Sequence, residues 1–234
     1  KNKTNKAWFL EIENSRLSEM EVWLYERNQL ILHKKSGDKI PIKKYDVRSP
    51  NPIFKLAMIE NQDYEIFIKA SGTRDLKFPI MFWEENELLE HLSTNKLIWG
   101  IYLGFIILIS LYNIFLWITI KDTVYIFYSI YILLFGAFQL SLYGFGFQYI
   151  WSNSWFNEIA YFVFLFFSNI FLILFTDSFL DLSKNYKNYW QRIKNALIFG
   201  SLITTAISFF YFRYWFNYLA IGQGVLFSAL FMLI

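Results

Sequence analysis

The chain has 234 residues, of which 56% are hydrophobic and 22% aromatic but only 18% charged. Soluble domains carry about 45–50% apolar and about 25% charged residues, so this composition indicates that part of the chain lies in lipid and excludes a disordered or collagen-like class. Cysteine is absent and only two histidines are present, so we predict no disulfide, no metal site and no cofactor. The net charge of +3 is dispersed along the chain and does not favour a nucleic-acid partner.

The first part of the chain has the two-residue hydrophobic period of antiparallel strands. Short alternating runs are separated by Asn, Ser, Gly, Asp and Pro, which is the pattern of half-buried strands joined by turns. We predict strands at residues 9–13, 20–25, 29–33, 54–59, 64–70 and 76–82. With no helical run among them, these strands predict a jelly-roll-like β-sandwich over residues 1–92.

One face of these strands carries aromatic and acidic side chains. Alternation places Leu10 and Ile12 on one side of the first strand, and the other strands divide in the same way. Aromatic rings stack on apolar sugar faces and carboxylates accept hydrogen bonds from hydroxyls, so such a face is typical of carbohydrate binding. The alternative is a second packed layer or an interface. The candidate ligand-binding residues are Phe9, Glu11, Glu13, Trp23, Tyr25 and Phe67.

Charged residues become scarce after Lys96. The uncharged runs 97–120, 123–157, 159–176, 195–212 and 214–234 contain 24, 35, 18, 18 and 21 residues. About 20 apolar residues in a helix cross a hydrocarbon core of about 30 Å. We therefore predict a transmembrane helical domain over residues 97–234. Its five spans are expected at about 97–120, 124–142, 159–180, 195–212 and 214–234, with an interfacial loop at 143–157.

Lysine and arginine in the short loops predict the orientation of the spans. Five of them, at positions 121, 184, 187, 192 and 194, follow the first and third spans, and only Arg213 lies on the opposite side. Cationic loops stay cytoplasmic, so the β-sandwich is expected in the periplasm, facing away from the cytoplasm of a bacterial inner membrane. We expect sequence to be missing at both ends, for three reasons. Residue 1 is not methionine, no signal peptide is seen ahead of the predicted sandwich, and no soluble tail is seen after the last predicted span.

The predicted spans carry almost no ionisable side chains. Asp177 lies at the inner end of the third span, where it could reach water or cap the helix end, and a structural role is the better interpretation. Pumps and transporters usually need intramembrane charges, so this scarcity argues against transport. Gly100 and Gly104 form a G-x-x-x-G motif, and Tyr112 and Asn113 offer polar contacts, so these four residues are predicted to pack helices together. No motif predicts an active site, and no enzyme activity is expected within these residues.

Residues 100–131 read GIYLGFIILISLYNIFLWITIKDTVYIFYSIY. The glycine-rich entry, the Leu-Tyr-Asn sequence at 111–113 and the short Lys121-Asp122 turn resemble the membrane module of the bacterial seven-transmembrane receptors with diverse intracellular signalling modules. The segments WFLEIEN at 8–14, EVWLY at 21–25, YEIFIKASG at 64–72 and LKFPIMFW at 76–83 resemble the second type of extracellular domain in that family.

The resemblance implies a sensor. In such a receptor a periplasmic jelly roll binds a carbohydrate-like ligand, and seven helices pass the signal to a cytoplasmic output module, which this sequence lacks along with the last two helices. A homodimer is a reasonable expectation for this class. The alternative is a membrane transporter or assembly protein whose periplasmic sandwich recognises a partner. A third reading, a membrane enzyme with its site elsewhere in the full-length protein, also stays open.

Overall fold

The computed structural model describes residues 7–58, 62–71 and 79–210. Six β-strands come first: β1 (Trp8–Ile12), β2 (Glu19–Glu26), β3 (Gln29–Ser36), β4 (Ile53–Leu56), β5 (Tyr64–Ser71) and β6 (Ile80–Glu84). The helices that follow are α1 (Glu85–Ile120), α2 (Thr123–Leu142), α3 (Phe145–Tyr149), α4 (Ser154–Phe179), α5 (Leu182–Asn185) and α6 (Lys187–Phe210). A short 3-10 helix, Ile42–Lys44, lies between β3 and β4.

The strands form two antiparallel sheets. The first sheet has the order β4-β1-β6, and the second has the order β3-β2-β5. Side chains from both sheets meet in one core, because alternate residues of each strand point the same way. Its buried members are Leu10, Ile12, Leu17, Met20, Val22, Phe54 and Leu56. The predicted β-sandwich followed by helices is therefore confirmed, and its jelly-roll connectivity stays a prediction.

The predicted strand positions hold, with different ends. The third strand continues to Ser36 because Lys34, Lys35 and Ser36 keep pairing with β2. The fourth ends at Leu56 rather than at residue 59, which lies outside the described residues. The described part of the last strand begins at Ile80, and residues 76–78 of the prediction also lie outside the described residues.

Strand β6 leads into helix α1 without a linker. The strand ends at Glu84 and the helix begins at Glu85, so the acidic segment that was predicted as a connection is the first part of a 36-residue helix. Glu85 and Glu87 lie in its first turn, where carboxylates interact favourably with the helix dipole. At about 1.5 Å per residue the helix is about 54 Å long, well beyond the hydrocarbon thickness of about 30 Å.

The chain forms two compact units. One comprises residues 1–101 and 140–158, and therefore contains the β-sandwich, the first part of α1 and the segment around α3. The other comprises residues 102–139 and 159–234. In the second unit the helices are joined by polar contacts: Ser129 donates to the carbonyl of Ser110 at 2.9 Å, and the hydroxyls of Thr123 and Ser178 lie 3.2 Å apart.

Helices α1, α2 and α4 are long and apolar enough to cross a membrane. They contain the first three predicted spans almost entirely, with α4 ending one residue before the predicted 180. The fourth predicted span, 195–212, begins in α6 and runs past the last described residue. The fifth, 214–234, lies outside the described residues.

Asp177 has a structural role at the end of α4, as its position in the sequence indicated. Its carboxylate accepts hydrogen bonds from the backbone N–H of Ser183 at 2.9 Å and from the Ser183 hydroxyl at 2.8 Å. Lys194 of α6 donates to it at 2.8 Å. This side chain therefore joins α4, α5 and α6.

The residues predicted to pack helices together make few contacts in the described part of the chain. A methyl group added at Gly100 or Gly104 would meet no described atom within 4 Å. Tyr112 is exposed, and the Asn113 amide donates to the Ile109 carbonyl of its own helix. Close approach occurs instead at Gly136, where an added methyl would lie 3.0 Å from Ile106. A packing role for the four predicted residues stays a prediction.

Candidate ligand sites

The six predicted ligand-binding residues do not form one face. Trp23, Tyr25 and Phe67 belong to the second sheet. Phe9 and Glu11 belong to the first sheet, and Glu13 follows β1. The single aromatic and acidic face expected from the sequence is therefore corrected to two separate groups, because strands with the same alternation belong to different sheets.

The outer face of the second sheet carries an aromatic depression. Trp23 pairs with Phe67 on β5 and with His33 on β3. The ring of Trp23 stacks on His33 at 4.9 Å, and the ring of Tyr25 meets Phe67 edge-on at 5.6 Å. The depression has a volume of about 330 Å³ and is lined by Trp23, Tyr25, Asn28, Glu65 and Phe67.

Polar groups border the aromatic rings of this depression. Glu65 faces Tyr25 across the strand pair, and Asn28 lies in the β2–β3 turn with φ of 65°. A ring to stack on, a carboxylate and an amide suit a ligand with both an apolar face and hydroxyl groups. Glu65 shares its side of β5 with Phe67, so alternation could have identified it. Asn28 reaches the depression through turn geometry, which alternation does not predict.

A polar cluster lies next to Trp23 on the same face. The imidazole of His33 lies 2.9 Å from the carboxylate of Glu21, and the ammonium group of Lys35 lies 3.1 Å from the same carboxylate. Hydrogen bonds from His33 and then from Lys35 hold the pKa of Glu21 below its usual value. These contacts fix His33 against Trp23 and so shape one side of the depression.

The lowered pKa of Glu21 predicts acid-dependent stability. Because the pKa is lower in the folded than in the unfolded chain, the stabilisation is complete above the unfolded pKa and is lost as the pH falls through the folded pKa. We expect Glu21→Gln to lower the melting temperature at pH 7 and to have less effect at pH 3. The difference will be small because the cluster is at the surface. Lys35→Gln should reduce the same pH dependence; if Glu21→Gln behaves identically at both pH values, the cluster is not stabilising.

Phe9 and Glu11 are buried beneath helix α1. Phe9 is 6% exposed and packs with Ile53 and Leu88, the last of these from α1. Strand β1 is thus covered on both faces, by the second sheet and by α1. This is the second packed layer that the sequence left open as the alternative to a binding face.

Glu11 lies at the centre of a hydrogen-bonded hub. It is 1% exposed, and it accepts hydrogen bonds from the amide of Asn51 at 2.9 Å and the indole of Trp83 at 2.8 Å. The imidazole of His91 on α1 lies 3.6 Å from the same carboxylate and stacks on Trp83 at 4.7 Å. Asn95, one turn further along α1, lies 3.0 Å from that imidazole. The hub therefore joins β1, the turn before β4, β6 and α1.

Beside this hub lies a larger cavity, named here the junction cavity, with a volume of about 510 Å³. Leu92, Asn95, Lys96 and Trp99 line it from one face of α1, since residues three and four apart share a face. The remaining lining residues come from β1, from the loops after β1 and before β4, and from the stretch between the end of α2 and the start of α3: Glu11, Glu13, Asn14, Ser15, Arg16, Ser49, Pro50, Asn51, Leu142, Tyr143 and Phe145.

Helix α3 and the residues just before it are held by hydrogen bonds to the sandwich and by ring contacts with Trp99 of α1. Ser15 donates to the carbonyl of Leu142 at 3.4 Å, and Gln148 donates to the carbonyl of Arg48 at 2.9 Å. The ring of Trp99 lies 4.7 Å from that of Tyr143 and 5.0 Å from that of Phe145. The cavity is thus built within a single compact unit. The sequence singled out Glu11 and Glu13 among its lining residues, but not as parts of one cavity.

Metal ligands are not clustered in the described ranges. No group of three or more His, Asp or Glu side chains there is placed to hold a metal ion. The carboxylate of Glu11 accepts its hydrogen bonds from the protein donors Asn51 and Trp83.

The β-sandwich, its direct fusion to α1 and three helices long and apolar enough to cross a membrane are the features of a multi-pass membrane protein with an N-terminal β-domain. The family model described as 7TM diverse intracellular signalling matches residues 95–234, and the model described as 7TMR-DISM extracellular 2 matches residues 1–84. The chain therefore belongs to the seven-transmembrane receptors with diverse intracellular signalling modules. No curated protein and no solved structure matches it.

Proposed function

We propose that this chain is the sensory and transmembrane part of a bacterial inner-membrane signalling receptor. Its β-sandwich lies in the periplasm, binds a carbohydrate-like ligand and acts through the helices on a cytoplasmic output module elsewhere in the full-length protein. These residues bind and transmit but do not catalyse. The distribution of lysine and arginine between the loops supports this orientation.

The observation that carries the proposal is the junction between β6 and α1. A ligand changes a two-state equilibrium only if it binds the two states with different affinity, so the sandwich and the helices must be mechanically connected. Strand β6 ends at Glu84 and α1 begins at the next residue, Glu85. The imidazole of His91 on α1 also contacts the carboxylate of Glu11 on β1. A displacement of β1 or β6 is therefore transmitted directly to α1.

The aromatic depression supports the carbohydrate part of the proposal. Phe67 is 54% exposed although its ring meets that of Tyr25, and Trp23 lines the same depression, so aromatic surface is open to a ligand there. Glu65 and Asn28 supply an acceptor and an amide at the rim. Stacking on rings and hydrogen bonding to polar groups are the two interactions that select sugars.

The scarcity of charge in the described spans favours a receptor over the transporter or assembly protein that the sequence left as the alternative. Asp177, near the end of α4, is bound by Ser183 and Lys194 and so is occupied by a structural role. A transport path would need an ionisable side chain free to exchange its partners.

A glycan array probed with the full chain in lipid nanodiscs tests the ligand class. We expect binding to a subset of glycans, and we expect Phe67→Ala to weaken it about tenfold, since loss of an aromatic stacking partner costs about 0.5–1.5 kcal/mol beyond the buried area. Phe67 is exposed, so the variant should keep its fold.

Phe82→Ala is the matched control for this measurement. Phe82 is 47% exposed and lies on β6 of the first sheet, outside the depression. Its replacement should leave glycan binding unchanged. Equal losses in the two variants, or no glycan bound by the wild type, would contradict a carbohydrate site on the second sheet.

A further inference from the structure

We propose that the junction cavity binds the headgroup of a membrane phospholipid that carries an ammonium group as well as a phosphate. This site is separate from the aromatic depression and does not depend on the carbohydrate proposal. It would make the receptor sensitive to the lipid at the point where the sandwich joins α1.

Two cationic side chains line the cavity and suit a phosphate. Lys96 lies on the α1 face that forms one wall, and Arg16 comes from the loop after β1. A charge-assisted hydrogen bond from a lysine or guanidinium to a phosphate oxygen is about twice as strong as a neutral one. Asn14 and Asn95 add amide donors to the same lining.

The carboxylates of the cavity explain why the headgroup should also carry a positive charge. Glu11 already accepts hydrogen bonds from Asn51 and Trp83 and is buried. Glu13 is exposed and lines the same cavity, so its carboxylate can pair with an ammonium group. An anion without that ammonium would be repelled by Glu13. Phosphoethanolamine has the required pair of charges.

The position of the cavity on α1 indicates a lipid rather than a soluble solute. Lys96 is the last charged residue before the uncharged run of 24 residues, so it lies where headgroups meet hydrocarbon. Trp99 and Tyr143 in the lining are residue types that favour this depth. The adjoining turns of α1 expose Leu97, Ile98 and Ile101, which offer an apolar surface to acyl chains.

The test is lipid titration of the delipidated full chain, followed by native mass spectrometry. The probes are dioctanoyl phosphatidylethanolamine, dioctanoyl phosphatidylglycerol and the soluble glycerophosphoethanolamine. We expect one phosphatidylethanolamine per chain, bound about tenfold more tightly than phosphatidylglycerol because of Glu13, and about tenfold or more tighter than the soluble headgroup because of its chains.

Variants at the exposed positions identify the contacts. Lys96→Gln should weaken phosphatidylethanolamine binding about tenfold through loss of a charge-assisted hydrogen bond. Lys39→Gln, at an exposed lysine outside the cavity, should leave it unchanged. Glu13→Gln should remove the preference over phosphatidylglycerol. Melting curves of the three variants check that each is folded.

Three results would overturn the proposal. Undiminished binding to Lys96→Gln would remove the phosphate assignment. A preference for phosphatidylethanolamine that survives Glu13→Gln would remove the ammonium assignment. If glycerophosphoethanolamine binds as tightly as the lipid, the cavity takes a soluble solute instead.

Discussion

Glu11→Ala is expected to lower the free energy of unfolding of the β-sandwich by about 3 kcal/mol, because it removes a buried carboxylate and leaves two half-buried donors without their acceptor. Asn51 and Trp83 each lose a hydrogen bond of less than 3 Å, and His91 loses the carboxylate beside its ring. The measurement is urea unfolding of the nanodisc-embedded chain, followed by tryptophan fluorescence.

The matched control for this prediction is Glu13→Ala. Glu13 lies two residues further along the chain and is exposed, so its replacement should change the unfolding free energy by less than about 0.5 kcal/mol. Glu11→Gln keeps one acceptor oxygen and should fall between the two variants. Equal stabilities of Glu11→Ala and Glu13→Ala would show that the hub does not hold the sheet to α1.

The strands and their core faces could be predicted because they follow from local alternation. Leu10 and Ile12 were assigned to one side of β1, and both are fully buried in the sandwich core. The same alternation put Phe9 and Glu11 on the other side, and this was also right. Alternation does not say what covers a face. Sheet order and the position of α1 over β1 depend on contacts that are distant in sequence, so a buried hub was read as part of an exposed face.

The start of α1 illustrates a second limit of the sequence. The distribution of charge indicates where the membrane span can begin, which is after Lys96. It does not indicate where the helix begins, because a helix needs only continuous backbone hydrogen bonding. The polar pattern from Glu85 to Lys96 predicts a connection rather than part of a span. It is helical because it continues α1 and packs Leu88 against Phe9 and Ile53.

The junction cavity could not be predicted from any single segment. Its walls come from four stretches of chain, at 11–16, 49–51, 92–99 and 142–145. Gly144 shows how closely they meet: its φ is 78°, and a methyl group there would lie 2.7 Å from the Cβ of Ser15. The sequence marked this glycine only as a helix breaker, since the partner that needs the space is over a hundred residues away.

Inserting seven Gly/Ser residues after Leu92 is expected to disconnect the sandwich from the spans, a result that follows from the proposed receptor function. The inserted residues separate Glu11, Trp83 and His91, which precede the insertion point, from Asn95 and the rest of α1, which follow it. A flexible segment has no fixed length or orientation, so a displacement of the sheet is no longer passed to α1. In the full-length receptor, Glu11→Ala should change basal output, and the insertion should remove that change.

This comparison needs no identified ligand, because the perturbation is built into the protein. The readout is the activity of the receptor's own output module, measured with and without Glu11→Ala in each background. The same seven residues inserted after Gln62, an exposed position before β5, provide the control and should leave the effect of Glu11→Ala intact. If output still responds to Glu11→Ala after the insertion at Leu92, the signal passes by contacts other than the β6–α1 junction.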